Sequence, residues 1–287
     1  MRLDWSKTKT IFIVVFLILD IFLFILFVQK YEDSQLEIIG DLSTTERIAD
    51  ENVTLGELPD ADDSRPYLNA EFSLFMNSDI QGLEGQSATI REGQILSSIL
   101  SDPIAIADPE NPEELNEQIE DYVLYGDQYT FWDYDEEDNQ LIYFQTFEDF
   151  TLYYNLNAQI AVQLNENNEA ISYEQTHLTS LEEFTEEQQL REPRAVLETF
   201  YDRNLIQPNS TAVNLQLGYY PLFVQEAGSD SGDGATQVLT PTWKMTIENE
   251  NGDRNELFMN AVDGSIFDMS QVNLDFEQLE ENDETAE

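Results

Sequence analysis

The sequence predicts an α+β fold, with a single N-terminal transmembrane helix followed by two extracytoplasmic modules of antiparallel sheet, each with a packed helix. Three observations predict it. Residues 11–28 form an apolar run, apolar and polar residues alternate with period two around several turn motifs, and two helix-start motifs contain proline. A helix motif followed by alternating strands occurs twice, so we predict two modules.

The 287 residues suffice for an anchor and one or two modest domains. The predicted parts are a cytoplasmic N-terminus (1–10), a transmembrane anchor (11–28), a juxtamembrane stalk and linker (29–66), a first α+β module (67–185), a second α+β module (186–272) and a disordered acidic tail (273–287).

The N-terminal run is predicted to be a retained membrane anchor. Eighteen residues at a helical rise extend for about 27 Å, which is enough to cross a bilayer core. The run is long for a signal peptide, and no small-residue cleavage site follows it. Trp5, Lys7 and Lys9 precede the run and are candidate anchor and orientation residues. The positive charge places the N-terminus in the cytoplasm and the later residues outside the cell.

Asp20 interrupts this apolar run near its middle. A carboxylate that faces lipid is unfavourable, so polar residues at this depth usually contact another helix. One interpretation is a hydrogen-bonding contact with the helix of a membrane partner. The other is a tolerated polar residue that only makes insertion less efficient.

Between the anchor and residue 106, local signals predict short elements. A capping-box motif at residues 43–46 predicts a helix through about residue 51, and residues 52–55 predict a brief strand. Residues 59–66 form a polar linker between two prolines. Residues 70–77 and 87–92 are strand candidates, and the apolar spacing at 95–100 predicts a helix.

The middle of the chain combines one helix with a strand meander. Asn111 and Pro112 have the residue types of a helix cap and first turn. From Tyr129 the pattern alternates through residue 147 around the turn at 135–139, which is typical of a hairpin. Further strands are predicted at 150–156, 160–164 and 170–178, with a turn at 165–168.

The second helix-and-sheet pattern follows. Residues 179–192 are polar and helix-like, and Pro193 begins a helix with an apolar stripe. A strand is predicted at 213–223 and a flexible, glycine-rich loop at 228–234. Asn251 and Gly252 form a hairpin-turn motif between strands in which Trp243, Met245 and Ile247 alternate with polar residues.

The charge of the chain excludes one class of partner. The sequence contains 59 acidic and 12 basic residues, for a formal net charge of −47. Such a surface repels nucleic acid phosphates. The sequence has no cysteine, which excludes disulfides and thiolate chemistry. Both an ordinary acidic exported domain and adaptation to high salt or alkaline pH are consistent with the charge.

No residue pattern predicts catalysis, a metal or a cofactor. His177 is the single histidine, and no nucleophile-elbow motif accompanies it. Asp133, Asp135 and Asp138 lie at one turn, and another acidic pair, at 230 and 233, lies in the glycine-rich loop. Neither group has the ligand spacing of an EF-hand, so solvated turns are favoured over calcium sites. We therefore expect no enzyme activity.

Several segments resemble a known family. Residues 4–12 (DWSKTKTIF) and 16–23 (FLILDIFL) resemble the N-terminus of the YycI family, and so do the segments at 52–54, 58–59, 171–175, 217–220 and 241–243. The match covers nearly the whole chain apart from the acidic tail. Residues 243–267 also resemble the strand–turn–strand end of PepSY-like domains. We expect Asn in the family at the position of Asp20, and Asp adds a pH-dependent charge there.

The resemblance implies a membrane-anchored regulator of the WalK–WalR (YycG–YycF) two-component system. Its partners are then a WalK-like sensor histidine kinase and a YycH-like sister regulator, contacted mainly through the transmembrane helix. Localisation is the cell membrane, with the C-terminal part extracellular. An alternative is an anchored extracellular module that binds a peptide or a cell-wall fragment and has no kinase partner.

Overall fold

The structure, a computed structural model, describes residues 44–56, 58–59, 64–106, 112–225 and 236–267, and also residues 9, 15–17, 19 and 21–24, which are helical. Residues 1–51 and 52–287 form two compact units. None of the helices formed by described residues is both long enough and apolar enough to cross a membrane. The loop predicted at 228–234 and the tail at 273–287 lie outside the described residues.

The described elements are short helices and many strands. The helices are α1 (Thr44–Asp50), α2 (Asn77–Ile80), α3 (Pro112–Glu120) and α4 (Pro193–Asp202), with a 3₁₀ turn at Gly126–Gln128. The strands are β1 (Thr54–Leu55), β2 (Ser64–Arg65), β3 (Leu68–Phe72), β4 (Gln86–Arg91), β5 (Ile95–Ala105), β6 (Tyr129–Asp135), β7 (Gln140–Phe147), β8 (Phe150–Thr151), β9 (Gln159–Leu164), β10 (Glu169–Gln175), β11 (Leu178–Glu183), β12 (Gln188–Gln189), β13 (Thr211–Gln225), β14 (Thr236–Glu248), β15 (Arg254–Asn260) and β16 (Ile266–Phe267).

These strands form two seven-stranded sheets and a small third one. Sheet I has the order β1-β13-β14-β15-β16, and β3 joins it by pairing with β14 and β11. Sheet II has the order β4-β5-β10-β9-β7-β6, with β8 on β7, and β12 pairs with β2. Within the described ranges, strand pairing is antiparallel except between β1 and β13.

The predicted α+β class, mostly antiparallel sheet with few helices, is confirmed. Helices α3 and α4 begin at Pro112 and Pro193. Proline suits the first position of a helix, because the N–H that it lacks would have no intrahelical acceptor there. The predicted hairpin turns at 135–139, 165–168 and 251–252 connect paired strands. The module boundaries at 67–185 and 186–272 and the PepSY-like ending stay predictions.

The predicted helix at residues 95–100 is wrong, because these residues belong to strand β5. Ile95 packs in a cluster on one face of sheet II, whereas Leu96 packs in the cluster on the other face. Burial on both faces removes the period-two alternation that identifies a half-exposed strand. The remaining apolar spacing then resembles that of a helix.

The predicted helix-like segment at 179–192 is also wrong. It contains β11 and β12, which pair with β3 and β2 more than a hundred residues earlier in the chain. The polar linker predicted at 59–66 likewise contains the short strand β2. Polar strands at a sheet edge carry little local signal, since their partners decide whether they form.

Sheet II packs on two sides. On one side, Leu115 and Ile119 of α3 lie in a cluster with Leu96, Tyr143 and other sheet residues. On the other side, aromatic residues of sheet II and the adjoining loop meet sheet I, as in the edge contact of Tyr153 with Phe258, whose ring centroids are 5.5 Å apart.

A lysine lies inside this contact between the sheets. Lys244 of β14 is 9% exposed, and its Nζ lies 4.2 Å from the ring centroid of Trp132 on β6 and 5.9 Å from that of Tyr153. The same Nζ forms an ion pair of 3.2 Å with Glu256 on β15, which also accepts a hydrogen bond from Tyr154. Cation–π contacts and a carboxylate thus hold the charge where water is mostly excluded.

Candidate functional site: the cleft beside His177

The single histidine lies where the chain passes from sheet II to sheet I. His177 follows β10 and precedes β11, so its neighbours come from both sheets. Its backbone carbonyl accepts a hydrogen bond of 2.9 Å from the backbone N–H of Ser73, just after β3. The ring is buried, with 8% of the residue exposed.

Both ring nitrogens of His177 have polar neighbours. Nδ1 lies 2.7 Å from the Ser73 hydroxyl, and Nε2 lies 3.0 Å from the side-chain oxygen of Gln128 and 3.3 Å from the side-chain nitrogen of Gln145. A neutral ring satisfies this arrangement when Nε2–H donates to Gln128 and the serine hydroxyl donates to Nδ1. Gln145 itself bridges to the backbone of Leu178.

Burial lowers the pKa of His177 from 6.5 to about 4, because the charged ring is poorly solvated. The ring is therefore neutral at physiological pH. Tyr129 lies beside it with a ring-centroid distance of 6.2 Å, and burial raises the pKa of that phenol well above its usual range. The cluster is thus uncharged near neutral pH.

Tyr125 covers the histidine ring. The two rings are stacked, with centroids 4.6 Å apart and an interplanar angle of 29°. Tyr125 is 47% exposed and has a φ of 56°, in the left-handed region that bulky residues seldom adopt. Strained residues of this kind are concentrated at ligand clamps and other functional positions.

A small, open cleft adjoins His177, with a cavity volume of about 50 Å³, which is room for a few water molecules. It lies where β3, the β4–β5 turn and the start of β9 approach one another. Its lining residues are mostly polar: Phe72, Ser73, Glu92, Gln94, Ile95, Asn157, Thr176 and His177.

The pairing of Ser73 with His177 resembles a nucleophile and its base, but its chemistry differs. In serine hydrolases a carboxylate orients the imidazole and stabilises its charged form. Here the neutral amide of Gln128 has that place. A ring whose pKa is about 4 is also a weak proton acceptor. The arrangement supports a binding or structural role for the cleft.

The candidate calcium turn is closed by hydrogen bonds within the turn. Asp135 Oδ1 accepts from the backbone N–H groups of Glu137 and Asp138, and Asp133 accepts from the N–H of Tyr134. Within the described part of the chain, no three His, Asp or Glu side chains are grouped to hold a metal ion. The acidic pair at 230 and 233 lies outside the described residues.

The candidate membrane residues are mostly beyond the described ranges. Trp5, Lys7 and Asp20 lie outside the described residues, whereas Lys9 is helical and exposed. Their predicted roles in anchoring, orientation and partner contact stay predictions.

Sequence reasoning noted His177 as the single histidine but predicted no site there, and it missed the residues around it. Its hydrogen-bonding neighbours Ser73, Gln128 and Gln145 lie 104, 49 and 32 positions away along the chain. No spacing rule connects such distant residues.

Comparisons with known proteins identify one family. Residues 27–262 match the family model described as YycI protein. No curated protein matches the sequence. Among solved structures, the chain is similar to an uncharacterized protein from Eubacterium rectale ATCC 33656, with a TM-score of 0.41 and 10% identity, over 76% of this chain and 91% of that one.

Proposed function

This chain belongs to the YycI family of regulators of the YycG/WalK two-component system, and from that premise we propose that it binds and modulates a WalK-like sensor histidine kinase mainly through its transmembrane helix. A YycH-like sister regulator completes the assembly in this proposal. The observation that carries it is the family match over residues 27–262. The protein acts by association, with no reaction of its own.

The proposed topology follows the sequence. Residues 1–10 lie in the cytoplasm with Trp5, Lys7 and Lys9, residues 11–28 cross the membrane, and the remainder lies outside the cell. Nearly all of the acidic residues are then extracellular, where they do not face the anionic inner leaflet. In the proposed arrangement the stalk and linker at 29–66 connect the helix to the α+β modules.

Asp20 is the proposed contact between this helix and a partner helix. A polar side chain in the bilayer core gains a hydrogen bond when helices associate, and such bonds contribute about 0.5–2 kcal/mol. Asp and Asn can both form this bond, whereas Leu of similar size cannot. The contact therefore depends on the carboxyl group and not on the apolar residues around it.

The test is co-purification of the sensor kinase with the full-length protein from membranes. We expect Asp20→Leu to reduce kinase recovery by roughly three- to tenfold and an unrelated transmembrane helix to abolish it. Asp20→Asn is the matched control and should retain the kinase. Equal recovery with the wild type, Asp20→Leu and the exchanged helix would contradict the proposed membrane contact.

A second candidate function is an anchored module that binds a peptide or cell-wall fragment without a kinase partner. The cleft beside His177 favours it, because ligand sites contain a few converging polar groups and most of the lining residues here are polar. The co-purification separates the two functions. Absence of the kinase from a folded, inserted protein would leave the binding module as the preferred function.

A further inference from the structure

Strand β4 forms one edge of sheet II, and half of its backbone polar groups point away from the sheet. The carbonyl of Gly85, just before β4, accepts a hydrogen bond from the N–H of Ser101 beside it, so the odd-numbered residues of the strand face β5. The N–H and C=O groups of Gln86, Ala88 and Ile90 therefore face outward. Among the described residues, none forms a backbone hydrogen bond with these outward groups.

Other edge strands have features that hinder the addition of a further strand. On β6, the N–H of Phe131 is bonded to the side chain of Asn116, and a bulge lies between Phe131 and Asp133. On β11, a bulge interrupts the pairing, and the strand ends in Glu182 and Glu183. The strands β1 and β16, at the ends of sheet I, are only two residues long. Bulges, charged side chains and short strands are the usual ways in which proteins protect sheet edges.

Strand β4 lacks these protective features. Its sequence is QSATIR, and its register with β5 is continuous from residue 86 to residue 91. Its single charged residue, Arg91, is engaged with Glu174 in an ion pair of 2.7 Å. The exposed side chains of the strand are those of Ser87 and Thr89, which are small and uncharged. A continuous, neutral edge of this kind is a template for pairing with another chain.

Exposed apolar side chains flank this edge. Ile99 on β5 is the cross-strand neighbour of Ser87 and is 65% exposed. Leu74, which is 67% exposed, lies against the turn between β4 and β5. Tyr122 is also exposed, and its carbonyl accepts a hydrogen bond from the side chain of Gln86. Because Ser87 is small, a larger side chain on an added strand could reach across it and cover part of Ile99.

The charge of this hairpin differs from that of the rest of the chain. About one residue in five is acidic (59 of 287), whereas residues 85–101 contain only one acidic residue, Glu92. Glu92 lies at one end of β4, in the turn, and Glu84 lies just before the other end, and both side chains are exposed. The edge is therefore a neutral strip with a carboxylate at each end.

These two carboxylates favour a different protein over a second copy of this chain. In the symmetric antiparallel register centred on Ala88, which uses all of the outward groups, Glu84 of one copy would lie opposite Glu92 of the other. Like charges in opposite positions are destabilising, and each copy has a net charge of −47. A strand with a basic residue at each end has the complementary charge.

We propose that the open edge of β4 binds an extended segment of another protein, which adds one antiparallel strand to sheet II. The segment has apolar residues in its middle and a basic residue at each end. Backbone hydrogen bonds to residues 86, 88 and 90 supply affinity, and charge pairs with Glu84 and Glu92 fix the register. This contact on the folded part of the chain is separate from the proposed transmembrane contact and does not rest on it.

Fluorescence anisotropy of a labelled peptide with the full-length protein in detergent micelles tests the proposal. The probe is the peptide KTVTVTVTK, whose lysines would lie opposite Glu84 and Glu92 and whose valines would bond to residues 86, 88 and 90. The control peptide carries an N-methyl group on each valine, which removes the N–H donors and keeps the charge. We expect saturable binding of the probe and at least about tenfold weaker binding of the methylated peptide. Equal binding of the two peptides, or no binding by a folded protein, would overturn the proposal.

Two variants test the edge itself. Ala88→Pro removes an outward N–H and breaks no bond to β5, so the protein should fold and Kd should rise about tenfold or more. Ile99→Thr removes apolar surface beside the edge and should raise Kd roughly threefold. Thr89→Ser is the control, because the N–H of residue 89 faces β5, and it should leave Kd unchanged. Binding that persists in Ala88→Pro would place the peptide elsewhere.

Two further readouts keep the test decisive. If Ala88→Pro does not fold, the comparison of the plain and methylated peptides on the wild type decides the outcome. Sedimentation of the wild type and of Ala88→Pro detects a second copy at the edge, and a dimer present only in the wild type would overturn the proposal. Neither readout depends on recovery of the kinase, so failure of this proposal and failure of the proposed function are distinguishable.

Discussion

Replacing Lys244 by alanine is expected to lower the free energy of unfolding by about 4 kcal/mol, the cost typical of removing one partner from a buried ion pair. The substitution leaves the carboxylate of Glu256, which is 28% exposed on its side chain, with the hydroxyl of Tyr154 but without its cation. It also leaves a gap between sheet I and sheet II, so cavity formation adds to the electrostatic cost.

Chemical denaturation of matched variants separates these causes. Lys244→Met keeps most of the volume and should still destabilise, whereas adding Glu256→Gln should recover much of the difference because no unpaired charge remains. The neighbouring pair of Arg254 with Glu248 is the control, since Arg254 is 68% exposed on its side chain. Arg254→Ala should cost less than about 1 kcal/mol. If Lys244→Ala and Arg254→Ala lower the free energy of unfolding by similar amounts, burial between the sheets does not make the lysine ion pair more important than an exposed one.

Acidification is expected to destabilise the protein through His177. Its pKa is about 4 in the folded protein and near 6.5 in the unfolded chain, so between these values the unfolded chain binds one more proton. The stability that the neutral imidazole contributes is fully present above pH 6.5. It decreases as the pH falls from 6.5 to 4 and stays at its lower value below pH 4. The loss over this window is about 3 kcal/mol.

The measurement is the difference in stability between the wild type and His177→Gln at several pH values. The many carboxylates also begin to protonate near pH 4, and they do so in both proteins, so the difference isolates the imidazole. We expect the wild type to lose stability relative to the variant as pH falls from 7 to 4. Parallel curves for the two proteins would mean that His177 is not held neutral by burial.

Short-range signals predicted the parts of the fold that form locally. The prolines at 112 and 193 and the Asn251–Gly252 turn act within a few residues, and each lies where it was expected. The strands β5, β11 and β12 were misassigned because burial on two faces or distant pairing decides their structure. The local alternation of apolar and polar residues contains no information about either cause.

The candidate site was predictable only in part, for the same reason. His177 was noted only as the single histidine, and Ser73, Gln128 and Gln145 reach it from three distant elements. Lys244 alternates with Trp243 and Met245, which predicts that it points to solvent. It is buried because sheet II covers the second face of sheet I, a contact that no local pattern encodes.

The parallel pairing of β1 with β13 is where a force on the preceding part of the chain would first reach sheet I. Thr54 and Gly56 donate backbone hydrogen bonds of 3.0 and 2.8 Å to Ser210 and Ala212. A pull on the chain before residue 52, as the proposed membrane helix would exert, acts on these bonds before it reaches the long hairpin of β13 and β14. Because β1 is a two-residue strand at the edge of sheet I, we expect its pairing with β13 to open locally more readily than the long hairpin of β13 and β14.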